Sequence, residues 1–255
     1  MESKGHVKPR QRLMSDHPAS KKNMGLISFV IPTRNEPEIE TLIEEIRRVM
    51  RNLRRRFEVI VIDRSDDDTS QRASRAGAKV YSQVSTGLGG ALMEGFQKAR
   101  GELVFTMDAD LSHDPQYIPR FLKEVESGFD VVVGSRKMPG GGARGWGLSR
   151  KLISSVANAV GRWVAGVDVS DLTSGYRVYR AKAVRSLDAS LFKAKGFSFQ
   201  LEILFHLLRK GFKATSVPII FVDRKAGRSK LTKREVFEFL RTAFRLLQLR
   251  VKYGW

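Results

Sequence analysis

The sequence predicts an α/β fold: three layers, with a mostly parallel sheet between helices. Two observations carry this. Short, mostly apolar runs that read as buried strands alternate with helical stretches, the order a parallel sheet requires. Each polar cluster also follows a strand: Arg34-Asn35-Glu36, then Asp63, then Asp108 with Asp110, then Arg136. That repeated placement lines one sheet edge, and in open α/β sheets ligands bind at that edge.

Residues 1–24 are polar and basic (Lys4, Lys8, Arg10, Arg12, Lys21, Lys22) and are expected to be a disordered tail. Leu26 to Ile31 is the first strand, stopped by Pro32. Pro37 opens a helix in which Ile39, Leu42, Ile43, Ile46 and Val49 keep helical spacing. Phe57 to Ile62 is the second strand, ending at Asp63. The cluster Asp66-Asp67-Asp68-Thr69 caps the next helix, and Lys79 to Ser82 is a short third strand. Gly87-Leu88-Gly89-Gly90 opens a helix that ends near Arg100. Such glycines permit close backbone approach or a tight helix entry, and helix N-termini favour anions.

Glu102 to Met107 is the fourth strand, and Pro115 to Ser127 the helix after it. Asp130 to Val133 is the fifth strand, ending in Gly134-Ser135-Arg136. The glycine-rich stretch 137–147 reads as a mobile loop. A helix follows from Leu148 to Ala165, with Val160, Trp163 and Val164 directed to core or interface. Asp171 to Arg177 mixes turn residues with an acid and a base. Phe197 to Arg209 is an apolar helix whose Glu202 either faces outward or serves a site. Ser216 to Val222 is the last strand, and Arg224 to Lys230 a basic loop containing Gly227. The final helix runs from Lys233 to Arg250. Its Val236, Phe237, Leu240, Phe244, Leu247 and Val251 keep helical spacing, with Arg241, Arg245 and Arg250 among them. That pattern suits core packing or an interfacial membrane helix. No internal repeat and no second domain is evident.

The fourth strand delivers the most chemical stretch, Asp108-Ala109-Asp110-Leu111-Ser112-His113. Two carboxylates this close repel unless a cation lies between them. Mg²⁺ or Mn²⁺ typically takes one or two carboxylates plus substrate phosphates. The alternative is a strand-to-helix turn rich in aspartate, with Asp114 as N-cap and Pro115 at N1. The two readings are compatible, with Asp114 as the cap and Asp108 and Asp110 as ligands.

Composition bounds the rest. The 255 residues contain 42% apolar side chains, four histidines and no cysteine. Disulfides and cysteine-based zinc sites are excluded. A formal charge of +19 implies a polyanionic neighbour: nucleic acid, an anionic membrane or phosphorylated substrates. No apolar run reaches the ~20 residues of a membrane span, and the N-terminus lacks the apolar core of a signal peptide. The protein is therefore expected to be soluble or peripheral.

Taken together, Phe29-Val30-Ile31-Pro32-Thr33-Arg34-Asn35-Glu36, Asp63, Gly87-Leu88-Gly89, the Asp108–His113 stretch and Gly134-Ser135-Arg136 resemble family 2 glycosyltransferases of the GT-A, Rossmann-like fold. Asp171-Leu172-Thr173-Ser174-Gly175-Tyr176-Arg177, Gly196 to Glu202, and Phe221 to Arg224 with Gly227, Ser229, Lys230 and Leu231 narrow the resemblance. They are similar to dolichol-phosphate mannose synthases and their polyprenol-phosphate relatives. The resemblance covers residues 26–245. The catalytic domain is expected at 25–231, followed at 232–255 by the amphipathic helix suited to core packing or a membrane interface.

The resemblance implies roles. Pro32 and Glu36 contact the donor nucleoside, Asp63 lies near the base, and Arg34 and Gly89 belong to the same donor set. Asp108 and Asp110 hold Mg²⁺ or Mn²⁺ on the donor diphosphate. Arg136, Arg150 and Ser154 meet the acceptor phosphate. Arg224 and Lys230 act from a mobile acceptor-side loop, and with Asp110 and Arg136 they form the catalytic set. The sequence departs from the family at Arg34 (usually aromatic), at Asp63-Arg64-Ser65 (usually Asp-Asp-Gly-Ser), at Thr86 (commonly basic) and at Ser112 (Gln in some relatives). The membrane-spanning extension of some members is not expected here, so a small membrane-anchoring subunit or surface adhesion would hold the enzyme at the cytoplasmic face.

The implied reaction is inverting transfer of mannose from GDP-mannose to dolichyl or polyprenyl phosphate. Two alternatives stay within the family: another nucleotide sugar of the UDP-glucose type, or a non-lipid acceptor. Nucleic-acid binding is disfavoured, because the basic residues are dispersed and form no recognisable motif.

Overall fold

A computed structural model describes residues 25–166, 169–223 and 233–254. The basic tail and the Arg224–Lys230 loop lie outside the described residues. The central sheet is built from β1 (Ile27–Thr33), β2 (Phe57–Asp63), β3 (Lys79–Ser82), β4 (Leu103–Thr106), β5 (Val131–Ser135), β7 (Arg177–Arg180) and β8 (Ala214–Pro218). Its order is β3-β2-β1-β4-β7-β5-β8, and β7 alone runs against the others. A two-stranded parallel sheet pairs β6 (Gly142–Arg144) with β9 (Ile220–Val222). The helices are α1 (Ile39–Asn52), α2 (Thr69–Arg75), α3 (Gly87–Lys98), α4 (Ile118–Glu126), α5 (Leu148–Ala165), α6 (Ala181–Arg185), α7 (Phe199–Arg209) and α8 (Lys233–Lys252).

Side-chain alternation along the strands splits the core in two. Phe29, Ile31, Val59, Val61, Phe105 and Val132 pack under α1, α2 and α4. Val30, Ile60, Ile62, Val104, Val131 and Val133 pack under α3, α7 and α8 on the other face. Both faces are therefore covered, which explains the uninterrupted apolar runs and gives the expected three layers.

Four local expectations change. β1 runs through Pro32, paired with Ile62, to Thr33. The ladder with β4 has already ended at Val30, so the proline lacks a neighbour on that side to donate to. The stretch expected as a mobile loop contains β6. The last predicted strand begins earlier, at Ala214, and divides at Ile219: β8 joins the main sheet and β9 pairs with β6. The predicted Asp171–Arg177 turn ends in β7. Thr106 and Val133 both lie opposite Arg177, so this antiparallel strand begins at the sheet edge where the parallel strands end.

Candidate active site

That reversal brings Asp171–Gly175 to the same edge as the clusters after β1, β2, β4 and β5. Asp108 and Asp110 stand just past β4, both partly exposed. The Asp108 backbone N–H donates to His113 Nδ1 at 3.1 Å. His113 is buried, stacks on Tyr176 at 5.1 Å and meets Phe221 edge-on at 5.4 Å. Burial lowers its pKa, against the opposing pull of Asp108 and Asp110, so the ring is held neutral. Asp110 Oδ1 accepts from the Ser112 hydroxyl at 2.5 Å and its N–H at 3.2 Å. Leu111, between them, takes φ +58°, which the tight return requires. Asp114 caps a 3-10 turn at Pro115–Tyr117 leading into α4, its side chain accepting from Gln116 N at 2.8 Å.

On the β1–β2 side, Asp63 is nearly buried. Its Oδ1 accepts from Thr33 Oγ1 at 2.5 Å and Ser65 Oγ at 2.6 Å, and its Oδ2 from Ser70 Oγ at 2.5 Å. Burial pushes this carboxyl's pKa up, but the three hydroxyls outweigh it and the net shift is downward. Asn35 bridges the two loops: its N–H donates to Ser65 Oγ and its Oδ1 accepts from Asp66 N. Glu36 is buried beside Thr69, while Arg34 faces solvent and Pro32 is half-buried. Gly89 opens α3 with its N–H on Lys195 O at 3.2 Å. A Cβ there would stand 2.6 Å from Phe199 Cδ2, so close packing against the α7 entry demands glycine.

At the β5 end, Arg136 makes a forked pair with Asp171, Nε to Oδ2 at 2.7 Å and Nη2 to Oδ1 at 2.9 Å, with Thr173 Oγ1 also 2.9 Å from Nη2. Burial alone would lower the arginine's pKa and raise the aspartate's. The mutual attraction reverses both, so the pair stays ionised. Arg150, in the first turn of α5, donates to Asp223 at 2.7 Å. Both guanidiniums lie over the Trp146 ring, at 4.1 Å for Arg150 and 4.9 Å for Arg136. Ser154 lies one turn further along α5, its hydroxyl buried without a partner among the described residues.

The structure thus gathers Pro32, Arg34, Glu36, Asp63, Asp108, Asp110 and Arg136 at one edge, with the Arg150–Asp223 pair beside them. Glu202 is instead a fastener. It is fully buried, accepts from the Lys193 and Ala194 N–H groups and pairs with Arg245 of α8. Sequence reasoning missed Trp146, the Asp171–Arg136 pair and Gln200. Among the described residues Gln200 Oε1 is buried without a partner, and a Cβ on Gly175 would stand 3.8 Å from Gln200 Nε2 and 3.2 Å from Asp108 Oδ1. A tryptophan between two glycines was the available signal for Trp146.

This edge gathers paired carboxylates and a buried arginine on a Rossmann-like sheet of the GT-A kind. Residues 28–188 match glycosyl transferase family 2, and the chain belongs to that family. It is 37% identical over 212 residues to an undecaprenyl-phosphate mannosyltransferase of Micrococcus luteus, covering 80% of this chain and 86% of the relative. It is 34% identical over 239 residues to a polyprenol monophosphomannose synthase of Mycolicibacterium smegmatis, covering 90% and 89%. A dolichol-phosphate mannosyltransferase of Pyrococcus furiosus is 35% identical over 231 residues, covering 87% of this chain and 64% of that relative. Among solved structures, glucosyl-3-phosphoglycerate synthase of Mycobacterium tuberculosis, with Mn²⁺, UDP and phosphoglyceric acid, superposes with TM-score 0.66 at 23% identity. That match covers 89% of this chain and 78% of the other. Mannosyl-3-phosphoglycerate synthase of Rubrobacter xylanophilus gives TM-score 0.67 at 22% identity, covering 89% and 75%. At such identities the likeness is one of fold.

Proposed function

We propose that this glycosyltransferase moves mannose from GDP-mannose to a dolichyl or polyprenyl phosphate at the cytoplasmic face of a membrane. One observation carries the lipid acceptor: the arginine end of the site opens onto an apolar surface. Arg150 lies in the first turn of α5, and α5 exposes Leu148, Leu152, Val156 and Trp163 as a stripe along its length. The neighbouring α8 exposes Phe237, Leu240, Phe244 and Val251 at helical spacing, while Phe239, Ala243 and Leu246 face the core. Exposed Lys151, Arg162, Arg241 and Lys252 accompany these stripes. An apolar face bordered by cations suits an anionic bilayer surface. No helix among the described residues is long and apolar enough to cross a membrane.

The acceptor phosphate is already an anion, so the reaction needs no general base. One of its oxygens attacks the anomeric carbon, the bond from that carbon to the diphosphate oxygen breaks, and the diphosphate leaves with the electron pair. A single displacement inverts the anomeric carbon, converting an α-linked donor to a β-linked product. The chain contributes positioning and charge. Arg150 orients the attacking phosphate through forked hydrogen bonds, and Arg136, whose Nε and Nη2 are taken by Asp171 and Thr173, adds its charge, with Ser154 beside them. Pro32, Arg34, Glu36, Asp63 and Gly89 hold the nucleotide side. Arg224 and Lys230 come two and eight positions after β9 in the sequence; the Val222 N–H of that strand reaches Ser112 O at 3.3 Å, and the two cations serve as further phosphate donors.

Asp108 and Asp110 fit a divalent cation. No cluster of three or more ligating side chains occurs among the described residues. Two carboxylates completed by a diphosphate are the donor set that Mg²⁺ or Mn²⁺ takes. Held there, the ion would neutralise the leaving diphosphate. The test is to incubate the enzyme with radiolabelled GDP-mannose or UDP-glucose, Mn²⁺ and polyprenyl phosphate. Label from GDP-mannose should enter solvent-extractable lipid. Label from UDP-glucose alone would replace the donor, and no lipid label from either would reject the acceptor.

A further inference from the structure

Trp146 carries a polar atom that the fold leaves unanswered. The ring is 9% exposed, it sits between Gly145 and Gly147 at the junction of β6 and α5, and Phe221 meets it edge-on at 5.5 Å. Its Nε1 is buried and has no hydrogen-bond partner among the described residues, and the same holds for the Ser154 hydroxyl. A buried N–H without an acceptor has lost its water with nothing in return, and native interiors seldom keep one without a reason. Arg150 and Arg136 lie over the same ring at 4.1 and 4.9 Å. Two cations on an indole exclude a cationic ligand and favour one rich in anionic oxygens. Each guanidinium already grips an oxyanion, Asp171 for Arg136 and Asp223 for Arg150.

We propose that Trp146 contacts the acceptor phosphate: its indole N–H donates to a phosphate oxygen, while its ring keeps the two guanidiniums aimed at the same group. Arg150 exchanges the Asp223 carboxylate for phosphate, one oxyanion for another, and the arriving oxygen satisfies the indole. The Ser154 hydroxyl gains its partner from the same phosphate. The inference rests on the reading that a prenyl phosphate is the acceptor.

The experiment compares full-length wild type, Trp146→Phe and Trp146→Leu. Phenylalanine keeps an aromatic ring for the arginines and removes only the N–H; leucine removes both. Transfer from GDP-mannose to a short-chain prenyl phosphate gives kcat/KM for the acceptor. Melting with GDP and Mn²⁺ reports the donor side and the integrity of the fold. Trp146→Phe should lose about ten- to a hundredfold in acceptor kcat/KM, chiefly through KM, the scale of one hydrogen bond to a charged group. Its stabilisation by GDP should match wild type, and Trp146→Leu should lose more transfer. Wild-type acceptor kinetics in Trp146→Phe would overturn the inference and leave the lipid-phosphate reading intact. So would a parallel loss of GDP stabilisation, which marks a purely structural role. A wild-type enzyme that ignores prenyl phosphate would overturn both.

Discussion

Arg136 and Asp171 are a charge pair whose side chains are 8% and 0% exposed. Removing one partner of such a pair strands a buried charge. Asp171→Ala is therefore expected to cost about 3–5 kcal/mol in denaturant unfolding, and a loss below 1 kcal/mol would mean that Arg136 finds another anion. The Asp108–Asp110 assignment is tested at the same scale. Asp110→Asn should stay folded, nearly abolish transfer, and gain less melting temperature than wild type from GDP plus Mn²⁺. Near-normal turnover would sink the ligand role. Far from the site, Glu58 is nearly buried. Burial pushes its carboxyl up, but Lys79, the Arg100 backbone N–H, Ser28 and the Arg100 guanidinium outweigh that and bring it from 4.5 to about 2. A depressed carboxyl stabilises the fold above its unfolded pKa and loses that contribution as pH falls through the folded one. The stability gap between wild type and Glu58→Gln should thus be full near neutrality and shrink between about pH 5 and pH 2, read by urea melts across that range. A gap that does not change with pH would refute the linkage.

Among the elements, α7 and its entry loop join α8 to α3. Glu202 ties α7 to Lys193, Ala194 and Arg245. Glu238 of α8 accepts from the Lys195 and Gly196 N–H groups. The same loop presents Ala194 O and Phe199 to Gly89. Gly89→Ala places its Cβ 2.8 Å from Ala194 O and 2.6 Å from Phe199 Cδ2. Overpacking of this kind costs typically about 1–3 kcal/mol. A mutant with wild-type stability would show that the α7 entry yields readily. The loop after β9 belongs to this scale too. As an ordinary surface change, Arg224→Ala would leave both stability and rate untouched. As a phosphate contact it should slow lipid transfer about ten- to a hundredfold while GDP-mannose titration changes less. Normal transfer in both Arg224→Ala and Lys230→Ala would remove the loop from the site.

At the scale of the whole molecule, the charge of +19 and the two exposed stripes point the same way. Vesicles with anionic lipid should float the protein at low salt and release much of it at high salt, since each Lys or Arg near such a surface contributes about 1 kcal/mol. Phe237→Ser with Phe244→Ser should weaken flotation at both salt concentrations and leave the fold intact, because neither ring packs in the core. Equal binding to neutral and anionic vesicles would assign the charge to something else. Unchanged flotation in the double mutant would move the contact away from α8.

Periodicity and strand-end chemistry determined much by themselves: the three-layer α/β class, the parallel strands β1 to β5, the edge that carries Asp63, Asp108, Asp110 and Arg136, and the cap at Asp114. These are local properties. An apolar run buried on both faces, or a polar cluster after it, is written in consecutive residues. Tertiary structure alone decided the rest. Asp171 reaches Arg136 across 35 positions only because β7 runs antiparallel between β4 and β5. Trp146 lies under two arginines only because β9 leaves the main sheet to pair with β6. Glu202 is a fastener and not a site residue because Arg245 arrives from α8. The last helix divides its apolar residues between core and solvent according to which neighbours it packs against, and spacing along one helix cannot specify the neighbour. Strand direction, sheet exchange and ion-pair choice depend on contacts between distant segments, whose energies no local window contains.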